Sequence, residues 1–515
     1  MIPEIELKLE IPPRGMRKLQ RMHGLRDGAA GRARQEDLVS VYFDSARHKL
    51  HHRGMSLRVR HVGDKRIQTL KANGQWASGL ARDEWEEPIE RDTPDLRAMR
   101  GTPLAPLLDK KLARALRPVF ETRVHRTVVP LDRGESQVEL TFDQGEVRRG
   151  AKSAPINEVE LELKHGRITD LLHLARDLSD RVPAQFALRS KAERGYDLIA
   201  GRPAGAVRAQ PIKLAPDVTT ADAFRTIALA CAHQVAANAP AVRAGDPEGV
   251  HQMRVGLRRL RAAMSVFSGM FRDPQSGSIK EGLKWITGEL GPARDVDVYI
   301  KSITTYAEPM QRTVSHGDLE RLQREVAAWR AETFERAKKA VESPRYRSLI
   351  LDTLGWIVDG DWASSHNPRV RARRERPVGD FAREELGRRA TKVGKRAKKI
   401  AKLDPRKRHK LRIAAKKVRY ATEFFRSLFG RHKAEKRLGR YVRRLKSLQD
   451  CLGALNDITV HRELARDFVR ERARERQSAF AIGVVSSEEE NRTGPLCDAA
   501  MAAARKLAKA RQFWT

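Results

Sequence analysis

The sequence lacks three features that would point to particular protein classes. It has three cysteines, Cys231, Cys451 and Cys497, an odd number without paired spacing, which argues against a disulfide framework or a cysteine-based zinc site and favours a reducing, cytoplasmic compartment. Aromatic residues make up only 6%, which leaves few platforms for stacking bases. We find no apolar run of about 18 residues and no signal-peptide pattern, so we expect a soluble protein without membrane attachment.

Positive charge is what the sequence has in excess. The formal net charge is +36 over 515 residues. Residues 1–200 hold 37 Lys and Arg against 30 Asp and Glu, a net charge of +7, and residues 201–515 carry the remaining +29. Such a concentration of like charge repels itself unless anions screen it, so it predicts a polyanionic partner: nucleic acid, an acidic membrane surface or polyphosphate.

The chain is long enough for two or more domains, each with its own core. Residues 1–200 contain short alternating segments separated by Gly, Asp and Asn, which predict a mainly β domain. Residues 201–217 are rich in Gly, Pro and Ala and are the predicted linker. Residues 218–515 show 3.6-residue periodicity, which predicts an all-α domain.

The predicted helical domain contains an internal repeat. The segment HQMRVGLRRLRAAMSVF from His251 aligns with HKLRIAAKKVRYATEFF from His409, at an offset of 158 residues. The segment LKWITGELGPARDVD from Leu283 aligns with LKSLQDCLGALNDIT from Leu445, at an offset of 162. This period exceeds that of solenoid repeats, so we expect two helical bundles related by a pseudo-twofold axis, with a cleft between them.

Charged and apolar residues alternate along the predicted strands at 4–9, 57–60, 138–143 and 158–163. Side chains alternate across a strand, so each strand has one charged and one apolar face. An ordinary sheet with its charges in water is the simpler interpretation of any single strand. The segregation into acidic triplets and arginine pairs favours a closed barrel with a charged lumen, in which divalent metal and a bound anion compensate the crowded charges.

These motifs resemble the CYTH domain of the triphosphate tunnel metalloenzymes over nearly all of residues 1–200. The matching segments are EIELK from Glu4, LRVR from Leu57, TLK from Thr69, EVELELK from Glu158 and SKAERGY from Ser190. The resemblance implies an eight-stranded antiparallel β-barrel that binds triphosphate together with Mg²⁺ or Mn²⁺.

The resemblance also implies roles for individual residues. The expected metal ligands are Glu4, Glu6, Asp143, Glu158, Glu160 and Glu162. The expected catalytic and phosphate-gripping residues are Glu4, Glu6, Lys8, Arg58, Arg60, Lys71, Arg123, Arg126 and Lys191. Strand register decides which of Arg123 and Arg126 faces the lumen, and either Glu158 or Glu162 is expected to be peripheral.

Each copy of the helical repeat places basic residues along one helix face. His251, Arg254, Arg258 and Arg261 are spaced 3, 4 and 3 residues apart, and His409, Arg412, Lys416 and Arg419 repeat that spacing. A solvated basic surface is the simpler interpretation of one such helix. Repetition with histidine at the same place favours a shared anion-binding groove, and a His251/His409 metal site is a further alternative.

The second half resembles the CHAD domain, a conserved-histidine α-helical domain often found behind CYTH. The resemblance rests on the paired histidine motifs and on LGPARDVD and LGALNDIT, and it covers about residues 218–515. It implies polyphosphate binding by His251, Arg254, Arg258, Arg261, Lys284, His409, Arg412, Lys416, Arg419 and Lys446. Asp295, Asp297 and Asp457 are expected to orient basic side chains.

The two resemblances together predict a metal-dependent inorganic triphosphatase fused to a polyphosphate-binding domain, in the cytoplasm or on polyphosphate granules. A non-catalytic polyphosphate-binding protein is the main alternative. Thiamine triphosphatase and adenylyl cyclase activities are further alternatives, although we find no base-recognition motif. The charge is compatible with a nucleic-acid partner, but the lack of aromatic platforms and of a recognised nucleic-acid-binding module argues against one.

Overall fold

The structure, a computed structural model, describes residues 5–22, 30–72, 83–201, 205–271, 273–305, 315–430, 432–473 and 476–514. The chain folds into two compact units. The sheet unit comprises Met1–Ala206 together with Glu342–Asp359, and the helical unit comprises Val207–Val341 together with Gly360–Thr515. The predicted linker at 201–217 stays a prediction, and the chain passes from the first unit to the second between Ala206 and Val207.

The described part of the sheet unit forms one antiparallel sheet, in the order β5-β4-β3-β2-β6-β7-β8-β1-β9. Its strands are β1 (Ile5–Glu10), β2 (Arg34–Asp44), β3 (Met55–Val62), β4 (Lys65–Ala72), β5 (Asp83–Ile89), β6 (Arg117–Arg133), β7 (Ser136–Arg149), β8 (Lys152–His165) and β9 (Gln185–Phe186). The predicted antiparallel sheet is confirmed. Within the described ranges the sheet has nine strands instead of the predicted eight, because the two-residue β9 pairs with β1.

The described parts of residues 1–206 add the helices α1 (Pro13–Gln20), α2 (Lys110–Ala115), α3 (Ile168–Arg181) and α4 (Lys191–Ala200) to this sheet. The alternating pattern explains how they pack. Leu7 and Leu9 of β1 are buried on the outer face of the sheet, in a cluster with Leu140 of β7 and with the apolar sides of α1 and α3. Removing this apolar surface from water stabilises the unit. The charged residues between them therefore point to the opposite, inner face.

The second half of the chain is helical, which confirms the all-α prediction. Its helices are α5 (Thr220–Ala237), α6 (Ala239–Arg243), α7 (Pro247–Val266), α8 (Pro274–Glu289), α9 (Gly291–Thr305), α10 (His316–Glu342), α11 (Pro344–Asp359), α12 (Asp361–Ser364), α13 (Pro368–Glu375), α14 (Val378–Ala397), α15 (Pro405–Phe424), α16 (His432–Glu471), α17 (Arg476–Asn491) and α18 (Thr493–Ala508). None of the described helices is long and apolar enough to cross a membrane.

The predicted repeat is visible in α7 and α15. Both helices are 20 residues long, and both begin with a proline after an aspartate whose carboxylate accepts a backbone hydrogen bond, Asp246 in one copy and Asp404 in the other. Proline suits the first helical position because no intrahelical bond is lost there. The copies differ further along: α8 ends at Glu289 and α9 begins at Gly291, whereas α16 runs without a break.

Helix α11 belongs to the sheet unit, although the residues on either side of it belong to the helical unit. Leu351 is buried in the same cluster as the outer face of β1 and α3. Arg176 of α3 pairs with Asp352 and donates to the carbonyl of Ser348 at 3.4 Å. The apolar core of the sheet unit is therefore completed by a segment from much later in the chain.

Candidate functional site

The inner face of the sheet encloses a cavity of about 520 Å³, lined by residues from both ends of the strand order. Its charged and aromatic lining residues are Glu6, Lys8, Tyr42, His51, Arg58, Arg60, Lys71, Glu84, Glu86, Arg126, Glu160, Glu162, Lys191, Glu193 and Tyr196. The sheet therefore curls around a charged interior. Its described end strands, β5 and β9, are not hydrogen-bonded to each other.

Strand register brings the predicted cations to this interior. Arg58 and Arg60 of β3, Lys71 of β4, Arg126 of β6 and Lys8 of β1 all line the cavity. Residues that lie opposite each other on neighbouring strands share a face of the sheet, which explains the pairing of Lys71 with Glu84 at 2.6 Å. These five predicted phosphate-gripping residues are thus brought together.

Lys191 joins the set from α4, whose first turn is fixed by a capping box between Ser190 and Glu193. Its ammonium lies 2.8 Å from Asp143, 2.9 Å from Glu158 and 2.8 Å from Glu160. Burial lowers the pKa of Lys191, but these three carboxylates outweigh burial and raise it well above its ordinary value. Lys191 is therefore charged at neutral pH.

Asp143, Glu158 and Glu160 are buried, and one carboxylate oxygen of each lies within 4.8 Å of the others. Glu160 also accepts from Lys8 at 2.8 Å and from Arg126 at 2.9 Å. Burial raises the pKa of Glu160, but the surrounding cations outweigh burial and hold it well below its usual range. Three carboxylates this close suit a divalent cation, and here the Lys191 ammonium contacts all three.

The other predicted metal ligands lie nearer the open part of the cavity. Glu6 of β1 is directly opposite Glu162 of β8, and both line the cavity. Glu158 shares their face of β8, but it lies behind Lys191 and pairs with Arg194 at 2.6 Å. Glu158, unlike Glu160 and Glu162, does not line the cavity. Glu4 lies outside the described residues.

Arg60 is the exception among the cations. Its side chain lines the cavity, its buried Nε has no hydrogen-bond partner, and no carboxylate within the described ranges pairs with it. Burial, with the nearby charges of Arg58 and Arg126, lowers the pKa of Arg60 to about 10. A partly buried guanidinium without an ion-pair partner is costly, and an anion in the cavity would offset that cost.

Arg123 does not reach the cavity, which corrects its assignment as a tunnel residue. Residues three apart on a strand point to opposite faces, and Arg126 occupies the inner face of β6. The side chain of Arg123 is 55% exposed and pairs with Glu121 on the outer side of the sheet. Of the two alternatives left open by the sequence, the structure places Arg126 inside.

Sequence reasoning missed several lining residues. Glu86 of β5 accepts from Thr69 at 3.0 Å and pairs with Arg58 at 3.8 Å. Glu86 lies two residues after Glu84 on the same strand, so the two side chains point to the same face of the sheet. The alternation in the sequence could therefore have revealed Glu86 as a lining residue. His51 and Tyr196 line the cavity from a turn and a helix, where no strand alternation exists to reveal them.

In the helical unit, the two predicted basic stripes converge. Arg258 of α7 lies close enough to Arg412 and Lys416 of α15 to influence the pKa of both. Arg419 also influences Lys416. These four residues, Arg258, Arg412, Lys416 and Arg419, are called the basic cluster below.

The basic cluster carries little counter-charge. Within the described chain, none of its four members forms an ion pair, and the Nε atoms of Arg258, Arg412 and Arg419 are buried without partners. Burial and the three arginines lower the pKa of Lys416 to about 7. Asp457 opposes that shift, which places its carboxylate near the cluster. Like charges held this close indicate a site that an anion would stabilise.

The two histidines flank this region. Burial and the charge of Arg294 lower the pKa of His251. His409 is exposed, and its Nδ1 lies 2.8 Å from the Oδ1 of Asn456. Among the described residues, Asp143, Glu158 and Glu160 form the only group of three possible metal ligands, so no histidine joins such a group.

The predicted aspartates contact basic side chains. Asp295 pairs with Arg254 at 3.6 Å, and Asp297 contacts Arg294 at 3.1 Å and Arg330 at 3.5 Å. These contacts agree with an orienting role for the two aspartates. Arg254 also donates to the carbonyl of Thr287 at 3.2 Å, so its guanidinium is held in place at the edge of the basic cluster.

Three predicted polyphosphate-binding residues are exposed and are not members of the basic cluster. Lys284 is 72% exposed and pairs with Glu281 on its own helix. Lys446 is exposed on α16. Arg261 is exposed, and its charge influences Lys417 and not the cluster. Burial lowers the pKa of Lys417, and the charges of Arg389, Lys392 and Arg261 lower it further. Matched positions in a motif therefore do not guarantee one shared site.

The fold and the site define a two-domain protein: a curled antiparallel sheet around a cavity of mixed charge, followed by a helical domain with a basic cluster. Family models give these domains their names. Residues 3–196 match the CYTH domain and residues 226–466 match the CHAD domain. The chain therefore carries a CYTH domain followed by a CHAD domain, as the sequence motifs predicted.

Individual relatives match parts of the chain. An inorganic triphosphatase from Haemophilus influenzae is 35% identical over 198 residues, which are 38% of this chain and 55% of the relative. The chain thus matches only about half the length of that curated relative. The CHAD domain from Ricinus communis is 28% identical, with a TM-score of 0.49, over 60% of this chain and 99% of that structure. HpAC1 from Hippeastrum, which has a dominant triphosphatase activity, is 18% identical, with a TM-score of 0.29, over 39% and 96%.

Proposed function

We propose that the sheet unit hydrolyses inorganic tripolyphosphate and short polyphosphate with the help of Mg²⁺ or Mn²⁺. The observation that carries this proposal is Arg60, a partly buried cation that lines the cavity, has a buried Nε without a hydrogen-bond partner and forms no ion pair among the described residues. Arg58, Lys71, Arg126 and Lys8 surround the same space. A chain of phosphates would compensate several cations at once, because each phosphate unit carries at least one negative charge.

The carboxylates fit a divalent metal by their chemistry. Mg²⁺ and Mn²⁺ prefer oxygen ligands, and Glu6, Glu160 and Glu162 present carboxylates to the cavity. We assign these three residues, with Glu4, as the metal-holding set. Asp143 and Glu158 instead hold Lys191 in place. A bound metal would polarise phosphate oxygens and favour attack by water.

The protein's own groups would act mainly through charge and position. The transferring phosphoryl group in such reactions passes through a loose transition state, with negative charge on its outer oxygens. Arg58, Arg60 and Arg126 are well suited to neutralise that charge, since a guanidinium donates two parallel hydrogen bonds to one phosphate. Lys8 and Lys191 are held charged by Glu160, so they bind phosphate oxygens without first taking up a proton.

We propose that the basic cluster of the helical unit binds long-chain polyphosphate. Its arginines and lysine are partly buried and lack ion pairs within the described chain, which is the pattern expected of a site that receives a polyanion. His251, Arg254 and His409 lie at its edges, and we include them in the proposed site. The exposed Arg261, Lys284 and Lys446 are expected to contribute less.

Phosphate release from tripolyphosphate, long-chain polyphosphate and ATP, each with Mg²⁺, Mn²⁺ or EDTA, tests the enzymatic proposal on the full chain. We expect metal-dependent hydrolysis of tripolyphosphate, much faster than that of ATP. No hydrolysis of any substrate, together with tight binding of long chains, would establish the non-catalytic alternative. Preference for ATP or thiamine triphosphate would establish an organic triphosphate as the substrate.

Competition tests the proposed partner of the helical unit. Labelled long-chain polyphosphate is bound to the full chain and then challenged with RNA at equal phosphate concentration. We expect polyphosphate to remain bound, because its charge density is higher than that of RNA. Displacement by RNA would identify nucleic acid as the partner instead.

A further inference from the structure

The carboxylate of Asp44, at the end of β2, is completely buried and lies apart from the metal-holding set. Its Oδ1 accepts from the backbone N–H of Ser45 at 2.7 Å and of Leu50 at 2.9 Å. Its Oδ2 accepts from the N–H of His51 at 3.0 Å and from the hydroxyl of Tyr196 at 2.7 Å. Within the described ranges no cation pairs with it, so these four hydrogen bonds stabilise its charge.

The bond from Tyr196 connects two distant elements of the cavity wall. Tyr196 lies on α4, five residues after Lys191, whereas Asp44 organises the turn between β2 and β3. The ring of Tyr196 stacks on His51, with centroids 3.8 Å apart and planes at 18°. Both rings line the cavity. The contact therefore fixes the helix that carries Lys191 against the turn that carries His51.

Close packing against Phe120 restricts the position of α4. A side chain at Gly195 would meet the ring of Phe120, with a Cβ only 2.2 Å from its nearest carbon. That ring also packs edge-on against Tyr196, at a centroid distance of 5.3 Å. Burial and the charge of Asp44 raise the pKa of Tyr196, so the phenol remains a hydrogen-bond donor at neutral pH.

We propose that Asp44 and Tyr196 are positioning residues, which hold α4 so that the Lys191 ammonium lies at the inner end of the cavity, where it grips a terminal phosphate. This inference rests on the proposed function. Neither residue needs to touch the phosphate for this role. Their contribution reaches the anion through Lys191, because the helix between Lys191 and Tyr196 transmits any displacement of the ring.

Tyr196→Phe removes only the hydroxyl and keeps the ring on His51. Because a hydrogen bond to a buried carboxylate is lost, we expect tripolyphosphate binding in EDTA to weaken by about tenfold. The same substitution in a Lys191→Ala background should cause no further loss, since the group through which Tyr196 acts is gone. Equal loss in both backgrounds would overturn the proposal, because a general distortion of the cavity is additive with Lys191→Ala.

Tyr346→Phe is the matched control, since Tyr346 is buried on α11 of the same unit and does not line the cavity. We expect it to bind tripolyphosphate like the unmodified protein. Asp44→Asn is a second variant of similar shape, which presents an amide to donors at Oδ2 and should weaken binding at least as much as Tyr196→Phe.

Amide hydrogen exchange tests the positioning role of Asp44 and Tyr196 without any bound ligand. In Tyr196→Phe, we expect the amides of α4 and those of Leu50 and His51 to exchange faster together, while those of α3 keep their rates. Unchanged exchange in α4 would overturn the positioning role even if the protein hydrolyses tripolyphosphate. If the unmodified protein neither binds nor hydrolyses tripolyphosphate, the proposed function fails, whereas coupled exchange would still support the link between Asp44 and α4.

Discussion

The cavity of the sheet unit and the basic cluster of the helical unit are both rich in Lys and Arg, but they differ in counter-charge. In the cavity, most cations contact a carboxylate, as Lys8 and Arg126 contact Glu160 at 2.8 and 2.9 Å. In the cluster, Arg258 and Arg412 have no ion pair among the described residues. The proposed roles would explain this difference: carboxylates help a site to hold metal and release product, whereas a site that retains a polyanion does not need them.

The largest expected effect comes from removing Arg60, a cation of the cavity that forms no ion pair among the described residues. Arg60→Ala should slow tripolyphosphate hydrolysis on the order of 100-fold, because a charged donor aimed at the reacting phosphate is lost. Phosphate release under saturating metal measures it. Arg123→Ala is the matched control, since Arg123 lies on the outer face, and its rate should be unchanged. Similar losses in both variants would show that overall charge, and not the cavity, drives turnover.

Within the basic cluster, Arg412→Ala should weaken binding of long-chain polyphosphate by about tenfold, the effect of losing one charged hydrogen bond. Isothermal titration calorimetry measures the affinity. Lys284→Ala serves as the control, because Lys284 is exposed and paired with Glu281. If both variants lose affinity equally, the long chain binds the basic surface in general and the cluster is not a distinct site.

The smallest expected effect is a pH dependence of polyphosphate affinity, which should distinguish the basic cluster from the cavity. Lys416 has a pKa of about 7 in the free protein, so it is mostly charged at pH 6 and mostly neutral at pH 8. A bound polyanion favours the charged form and raises that pKa, so affinity falls as pH rises, by at most about tenfold between pH 6 and 8. The terminal phosphates of polyphosphate also titrate between pH 6 and 8. Long chains are used because they carry few terminal phosphates per phosphate unit.

Lys416→Arg should abolish most of this pH dependence, since arginine stays charged throughout the range. The number of protons taken up on binding at pH 7.5, measured by calorimetry in two buffers of different ionisation enthalpy, should fall in the variant. Binding of tripolyphosphate to the cavity should show no such uptake at Lys191, whose pKa is raised well above its ordinary value. Equal proton uptake by variant and unmodified protein would assign the effect to another group.

Much of this architecture could be predicted from residue patterns. The alternation around Glu6, Lys8, Arg58 and Arg60 predicted a charged inner face, because a strand with one buried apolar face must turn its other residues away from it. The offset of 158 residues between the repeats matches the distance from Pro247 to Pro405, where α7 and α15 begin. Both patterns are local and periodic, which is why they can be seen without coordinates.

Features that depend on register or on distant contacts could not be predicted. Arg123 and Arg126 differ only in which face of β6 they occupy, and that depends on pairing with β2 and β7. His51 and Tyr196 come together from a turn and a helix far apart in the chain. Lys284 and Lys446 occupy matched places in the repeat, but exposure depends on how the helices around them pack.

The place of helix α11 in the sheet unit limits how the gene for this protein can recombine. The codons for Leu351 lie inside the stretch that encodes the helical unit, although the side chain is buried with Leu7 and Leu9 in the sheet unit. A recombination event that exchanged only the first 200 codons with another gene would pair this core with a foreign helix. Losing one buried leucine contact of this kind costs about 2–5 kcal/mol. We therefore expect the two halves of this gene to be inherited together and to change in step.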